Sequence, residues 1–122
     1  MKYLMMIKHS EKYRGQPIPQ ALMEAMGVLV NEGFQNGKLQ DTAGLKGTEH
    51  AHRVRLSGGK LKVTDGPFTE AKEVVGGYAI FELESDEEAV ESARKFMELH
   101  QEHWPAFEGE CEVRPLEEMQ AT

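Results

Sequence analysis

The sequence predicts an α+β fold built on an antiparallel sheet. Three observations carry that expectation. Two segments place apolar residues at helical spacing, the runs around them read as short strands, and 122 residues suit one hydrophobic core rather than two. A single domain over residues 1–122 is therefore expected.

The first run, "KYLMMIKH", is too short for a helix ahead of the "YRGQPIPQ" loop, and predicts a buried strand over Tyr3 to Ile7. From Pro19 to Asn36, Leu22, Met26, Leu29, Val30 and Phe34 recur at helical spacing, with Pro19 suited to the first turn and Gly37 to the position past the end. Gly27 and Gly33 inside this helix each weaken it by roughly 1 kcal/mol against Ala, which predicts a close neighbour at those glycines or a loose last turn. The stretch "KLQDTAGLKGTEHA" carries turn chemistry around a short strand. "HRVRLSGGKLKVT" alternates about Gly58-Gly59 and predicts a hairpin, with Arg53 and Arg55 on one face and Val54 and Leu56 on the other.

"GYAIFELE", Gly77 to Glu84, reads as a central strand. Ser85 and Glu88 form a capping box, and Ala89, Ala93, Phe96, Met97 and His100 line a second helix to about Gln101. Pro105 and Gly109 mark a loop before a last short strand, "CEVRP". The order strand, helix, hairpin strands, strand, helix, strand suits a ferredoxin-like antiparallel sheet with two helices on one face. The other face is then bare. A wide half-apolar face is commonly covered by a second copy with two-fold symmetry, so a homodimer is expected.

Composition narrows the function classes. Hydrophobic residues at 39% and charged residues at 29% place the chain among soluble globular proteins. No apolar run approaches the roughly 20 residues that cross a bilayer, and "YLMMI" has neither an h-region nor a cleavage site behind it, so no membrane association and a cytoplasmic location are expected. Cys111, the single cysteine, forms no disulfide framework and reads as a small buried apolar residue in a reducing compartment. A net charge of -7 disfavours direct nucleic-acid binding but not contact with a nucleic-acid-binding protein.

The stretch with most chemistry is "VTDGPFTEAKE". An Asp that opens a turn usually accepts a hydrogen bond from the N–H two residues on, and here that residue is Pro67, which has none. The carboxylate of Asp65 must look to Phe68 N–H or beyond, or to another partner. Two readings stand side by side. In one, Asp65 and Glu70 sit at the mouth of a pocket, Phe68 forms an apolar wall, and Lys72 lowers a carboxylate pKa or holds an anion, so that a desolvated carboxylate can serve as general base. In the other, the charges hold a structural turn together at a strand junction.

His50 and His52 share a strand face as H-x-H, and His100 and His103 are neighbours on a helix as H-x-x-H. Neither pair has a third ligand at a diagnostic spacing, and "HQEHW" departs from the zincin motif, so solvated or capping histidines are expected, with a metal site as the alternative and no metal ligand assigned. His100 and His103 lie where a helix dipole favours a protonated ring. Arg53 and Arg55 suit a carboxylate or phosphate ligand, or equally the surface acids. Trp104 and Phe107 are expected to close the core or a dimer seam rather than to stack on a ligand. No Ser-His-Asp set, P-loop or dinucleotide fingerprint occurs, and no organic cofactor is expected.

"DGPFTEAKEVVGGYAIFE", Asp65 to Glu82, resembles the signature of the DGPF proteins within the wider YCII-related group. The opening "MKYLMMI" and the closing "HQEHWPAFEGECEVRP" are similar to that family's ends. The resemblance implies a dimeric α+β barrel of two ferredoxin-like sheets packed face to face. It also implies a His and Asp pair in a cleft and, in some relatives, association with an extracytoplasmic-function sigma factor. Asp65 fits the acidic member of the pair, whereas "QALMEAMGVLVNEGFQNG" has no histidine where the family pattern carries one on a helix. Two functions follow as expectations. One is a cofactor-independent enzyme doing acid–base chemistry on a small anionic metabolite, with Asp65 as acid or base, His52 or His103 assisting, and Arg53, Phe68, Glu70, Lys72 and Tyr78 binding substrate. The other is a non-catalytic dimeric ligand-binding or regulatory module that meets such a sigma factor.

Overall fold

The computed structural model describes residues 1–13 and 16–119. Strand β1 (Lys2–His9) is followed by a 3-10 turn at Glu11–Tyr13, helix α1 (Gln20–Gln35) and strand β2 (Leu39–Gly44). A second 3-10 turn at Thr48–His50 leads into β3 (His52–Ser57) and β4 (Lys60–Asp65), and then come β5 (Val74–Glu82), α2 (Asp86–His103) and β6 (Gly109–Pro115). The main sheet has the order β2-β5-β1-β6 with every pair antiparallel. The architecture is α+β, and among the described residues no helix is long and apolar enough to cross a membrane.

Alternation along β1 sorts the two faces. Tyr3 and Met5 are buried and pack with Leu83, Ala89 and Ala93, so α2 covers this face. Leu39 of β2 is level with Phe81 of β5, which is level with Tyr3 of β1, so α1, whose Gly33 rests on Leu39, lies on the same side. The opposite face carries Leu4, Met6 and Ile80, half-buried, beside an ion group in which Glu112 meets Lys8 Nζ at 2.6 Å and Arg114 Nε at 2.9 Å.

Local chemistry sets the helix ends. Ser85 Oγ accepts from Glu88 N–H at 3.1 Å, satisfying a donor that the helix leaves free, while the Glu88 carboxylate accepts from the N–H of Glu84, just ahead of the cap, at 3.1 Å. Tyr3 Oη donates to Asp86 Oδ1 at 2.7 Å and fastens the start of α2 to the sheet. That bond holds the phenol proton and pushes the Tyr3 pKa up to about 12. Pro19 is the residue before α1, and Gly37, at a φ of +77°, turns the chain after it. The two glycines inside α1 part company. A Cβ at Gly33 would lie 2.9 Å from Leu39 Cβ, so the helix approaches β2 there, whereas nothing lies within 4 Å of one at Gly27.

The hairpin signal is right about β3 and β4, but they form a two-stranded sheet of their own outside the main sheet. The strand after α1 in the main sheet is β2, "LQDTAG", an edge strand that pairs only with β5 and buries only Leu39, which is why its composition reads as turn. On the hairpin, Val54 faces Val63 and Leu56 faces Leu61, all between 65% and 72% exposed.

Candidate functional site

The hairpin root gathers much of the predicted chemistry. His52 and Asp65 are opposed in the β3–β4 register, and His52 Nδ1 lies 2.7 Å from Asp65 Oδ1. This answers the missing donor at Pro67: the Phe68 N–H goes to Thr48 Oγ1 at 3.0 Å, and Asp65 finds a histidine instead. The Arg53 guanidinium lies 3.7 Å from the centroid of the buried Phe68 ring and hydrogen-bonds Glu70, whose carboxyl it holds below the usual range. Gly66 makes the tight passage possible: its N–H donates to the Ala51 carbonyl at 2.8 Å, and a Cβ there would fall 1.7 Å from the Thr48 carbonyl oxygen.

The His52 and Asp65 side chains stand in solvent, 68% and 77% exposed. The other predicted site residues lie apart from them in the chain's elements. Tyr78 is on β5, where its hydroxyl donates to Asp41 Oδ2 at 2.8 Å, and the bond raises its pKa. His103 ends α2 next to Glu102, at 3.7 Å, and Lys72 is an exposed residue of the loop before β5. His50 closes a 3-10 turn and meets Glu49 at 3.6 Å. Among the described residues no three His, Cys, Asp or Glu side chains converge as metal ligands.

A mostly apolar concavity lies elsewhere. A cavity of about 560 Å³ lies between the helices and the sheet. Its cause is visible in the packing: α1 buries only Leu22 and Gly33, its Met26, Leu29 and Val30 stop half-buried above the sheet, and Gly76, Gly77 and Ala79 of β5 supply a floor with almost no side chain. Met5, Ile7 and Phe81 complete an apolar lining, with Glu11, Lys46 and Thr48 as polar neighbours.

One end of the cavity is aromatic. The Phe107 ring lies 4.9 Å from Tyr13 and 5.1 Å from Trp104, between centroids. Tyr13 Oη donates to the Ala106 carbonyl at 3.3 Å and accepts from Glu108 N–H at 2.9 Å, tying the turn after β1 to the loop before β6. Two imidazoles join this wall. His9 Nδ1 lies 2.9 Å from the Ser10 carbonyl oxygen and His100 Nδ1 lies 3.0 Å from that of Phe96. Burial pushes the His100 pKa down and the Cys111 thiol up to about 11, so both are neutral at pH 7. The Ser10 hydroxyl is buried with no partner among the described residues.

His9 and Gly76 escape a reading of the sequence. Ile7 pairs with Gly77 and Lys8 with Val75, so Gly76 is an extra residue of β5, a bulge, and the His9 ring rests on it. The only local signal is the "GG" at the start of β5, which gains meaning once the β1–β5 register is known.

The YCII-related domain matches residues 1–119 of the chain. The chain is also similar to an uncharacterised protein of Rhizobium meliloti (strain 1021), with 34% identity over 95 residues, which cover 78% of this chain and 73% of that protein.

Proposed function

The chain belongs to the YCII-related family, and from that premise we propose that it is a small-molecule-binding protein whose ligand occupies the cavity beneath α1 and α2. One observation carries this: an apolar concavity of about 560 Å³ between the helices and the sheet of a 122-residue domain. Protein interiors are close-packed and hold few voids larger than a water molecule, while ligand pockets run to roughly 300–1,000 Å³ with mostly apolar walls and a few polar groups. A thermal-shift screen of apolar aromatic fragments tests it, since a ligand of the native state raises the melting temperature. Hits should raise it in the wild type and raise it less in Val30→Trp, which puts an indole into part of the space. Equal shifts in both proteins would refute the assignment.

The hairpin root supports a second reading through the 2.7 Å contact of His52 and Asp65. There Asp65 acts as acid or base with His52, and Arg53 orients an anionic substrate against Phe68. Exposed as it is, this pair needs a cover to become a catalytic site. A homodimer supplies one. The four exposed apolar side chains of the hairpin and the Leu4, Met6 and Ile80 face favour a second copy, arranged as two ferredoxin-like sheets in a barrel. The hairpin carries Arg53, Arg55, Lys60 and Lys62 in a chain of net charge -7, which favours its docking on an acidic copy of the same protein. Turnover lost in Asp65→Asn with the fold intact would support the acid–base role. Capture of a sigma factor instead of a second copy would assign the hairpin face to a regulator.

A further inference from the structure

Two imidazoles border the cavity with their Nδ1 atoms already committed. The Ser10 and Phe96 carbonyl oxygens that His9 and His100 meet can only accept, so each Nδ1 carries hydrogen. In the neutral ring Nε2 is then a bare lone pair. Among the described residues neither Nε2 has a hydrogen-bond partner, and both rings line the cavity. They also share a neighbour. Phe107 lies 6.2 Å from His9 and 5.0 Å from His100, between centroids. Both acceptors thus belong to one aromatic wall, with Trp104 and Tyr13 beside it.

We propose that the cavity selects uncharged aromatic molecules bearing hydroxyl or N–H donors, which His9 and His100 accept through Nε2 beside the Phe107 ring. This rests on the cavity being the ligand site. The rings of Phe107, Trp104 and Tyr13 offer edges and faces to a flat apolar body. An analogue without a donor leaves a desolvated acceptor unpaired, and such a site discriminates strongly against it. A carboxylate entering the same wall loses its hydration and meets the bare Nε2 of the buried His100 rather than a donor.

Calorimetric titration of the whole protein with 2-naphthol, 2-methoxynaphthalene and 2-naphthoate tests the proposal. The naphthol should bind roughly tenfold or more tighter than the methyl ether, the equivalent of one good hydrogen bond, with the naphthoate weakest. In His9→Phe and in His100→Phe the preference for naphthol over the ether should shrink while the ether still binds. The wild-type comparison stands even where a variant fails to fold. Ether and naphthol binding equally well, or naphthoate binding best, overturns the donor rule and leaves the cavity as a ligand site. Binding of none of the three overturns both.

Discussion

A β-carbon built on Gly76 falls 2.4 Å from His9 Nε2, so the imidazole takes the space that any other residue at position 76 would claim. The bulge in β5 therefore does more than bend a strand: it seats a histidine at the cavity wall. Because the obstructing atom is the free end of a side chain, Gly76→Ala should fold, with a loss of under about 2 kcal/mol. Its expected effect is on recognition. The displaced ring should reduce the preference for 2-naphthol over its methyl ether, measured by the same titration.

Two other glycines separate steric need from tolerance. A Cβ at Gly66 would fall 1.7 Å from the Thr48 carbonyl oxygen, a backbone atom that cannot swing aside. Gly66→Ala should lower stability by about 2 kcal/mol or more in urea denaturation. Gly27→Ala meets nothing within 4 Å and lies inside α1, so it should raise stability by roughly 0.5–1 kcal/mol.

His100 gives a pH dependence with a definite sign. Burial lowers its pKa below the ordinary 6.5, against a smaller opposing effect of its bond to the Phe96 carbonyl. Near that pH the unfolded chain therefore binds a proton that the folded chain refuses, and stability rises with pH there. The contribution is complete above about pH 6.5 and is lost as pH falls from there toward the folded-state pKa. Chemical denaturation of wild type and His100→Phe between about pH 7.5 and 5.5 should show a gap between them that moves against the wild type as pH falls. The Glu70, Glu88 and Glu112 carboxyls, held low by Arg53, Lys38 and Lys8, titrate below 4.5 and stay outside that window.

Much of this was legible in the sequence, and the rest was hidden for physical reasons. Helical spacing and the Ser85 cap found both helices, because those signals are local. The two-residue Gly58-Gly59 turn sets the hairpin register and so opposes Asp65 to His52, one of the two histidines expected to assist it. The same turn says nothing of what the hairpin packs on, and its strands proved separate from the main sheet. Strand β2 was obscure because an edge strand with one buried residue has little to alternate. The cavity left no trace in the pattern: Met26, Leu29 and Val30 look like core at helical spacing, and only the seating of α1 shows that they stop short.

The hairpin face predicts an assembly. Light scattering after gel filtration should give twice the 13.7 kDa chain mass. Leu56→Ser with Val63→Ser, at positions 69% and 65% exposed, should keep the fold and yield the single-chain mass. A wild type that runs as one chain at all concentrations would contradict the dimer.

The location of the ligand site is tested most directly by a ¹H–¹⁵N correlation spectrum of the protein titrated with 2-naphthol. The chain has one tryptophan, so the Trp104 indole is a unique reporter of the aromatic wall. The indole and the amides of Gly76, Gly77 and His100 should shift together, with the hairpin root unmoved. Shifts gathered on His52, Asp65 and Phe68, with Trp104 unchanged, would contradict it.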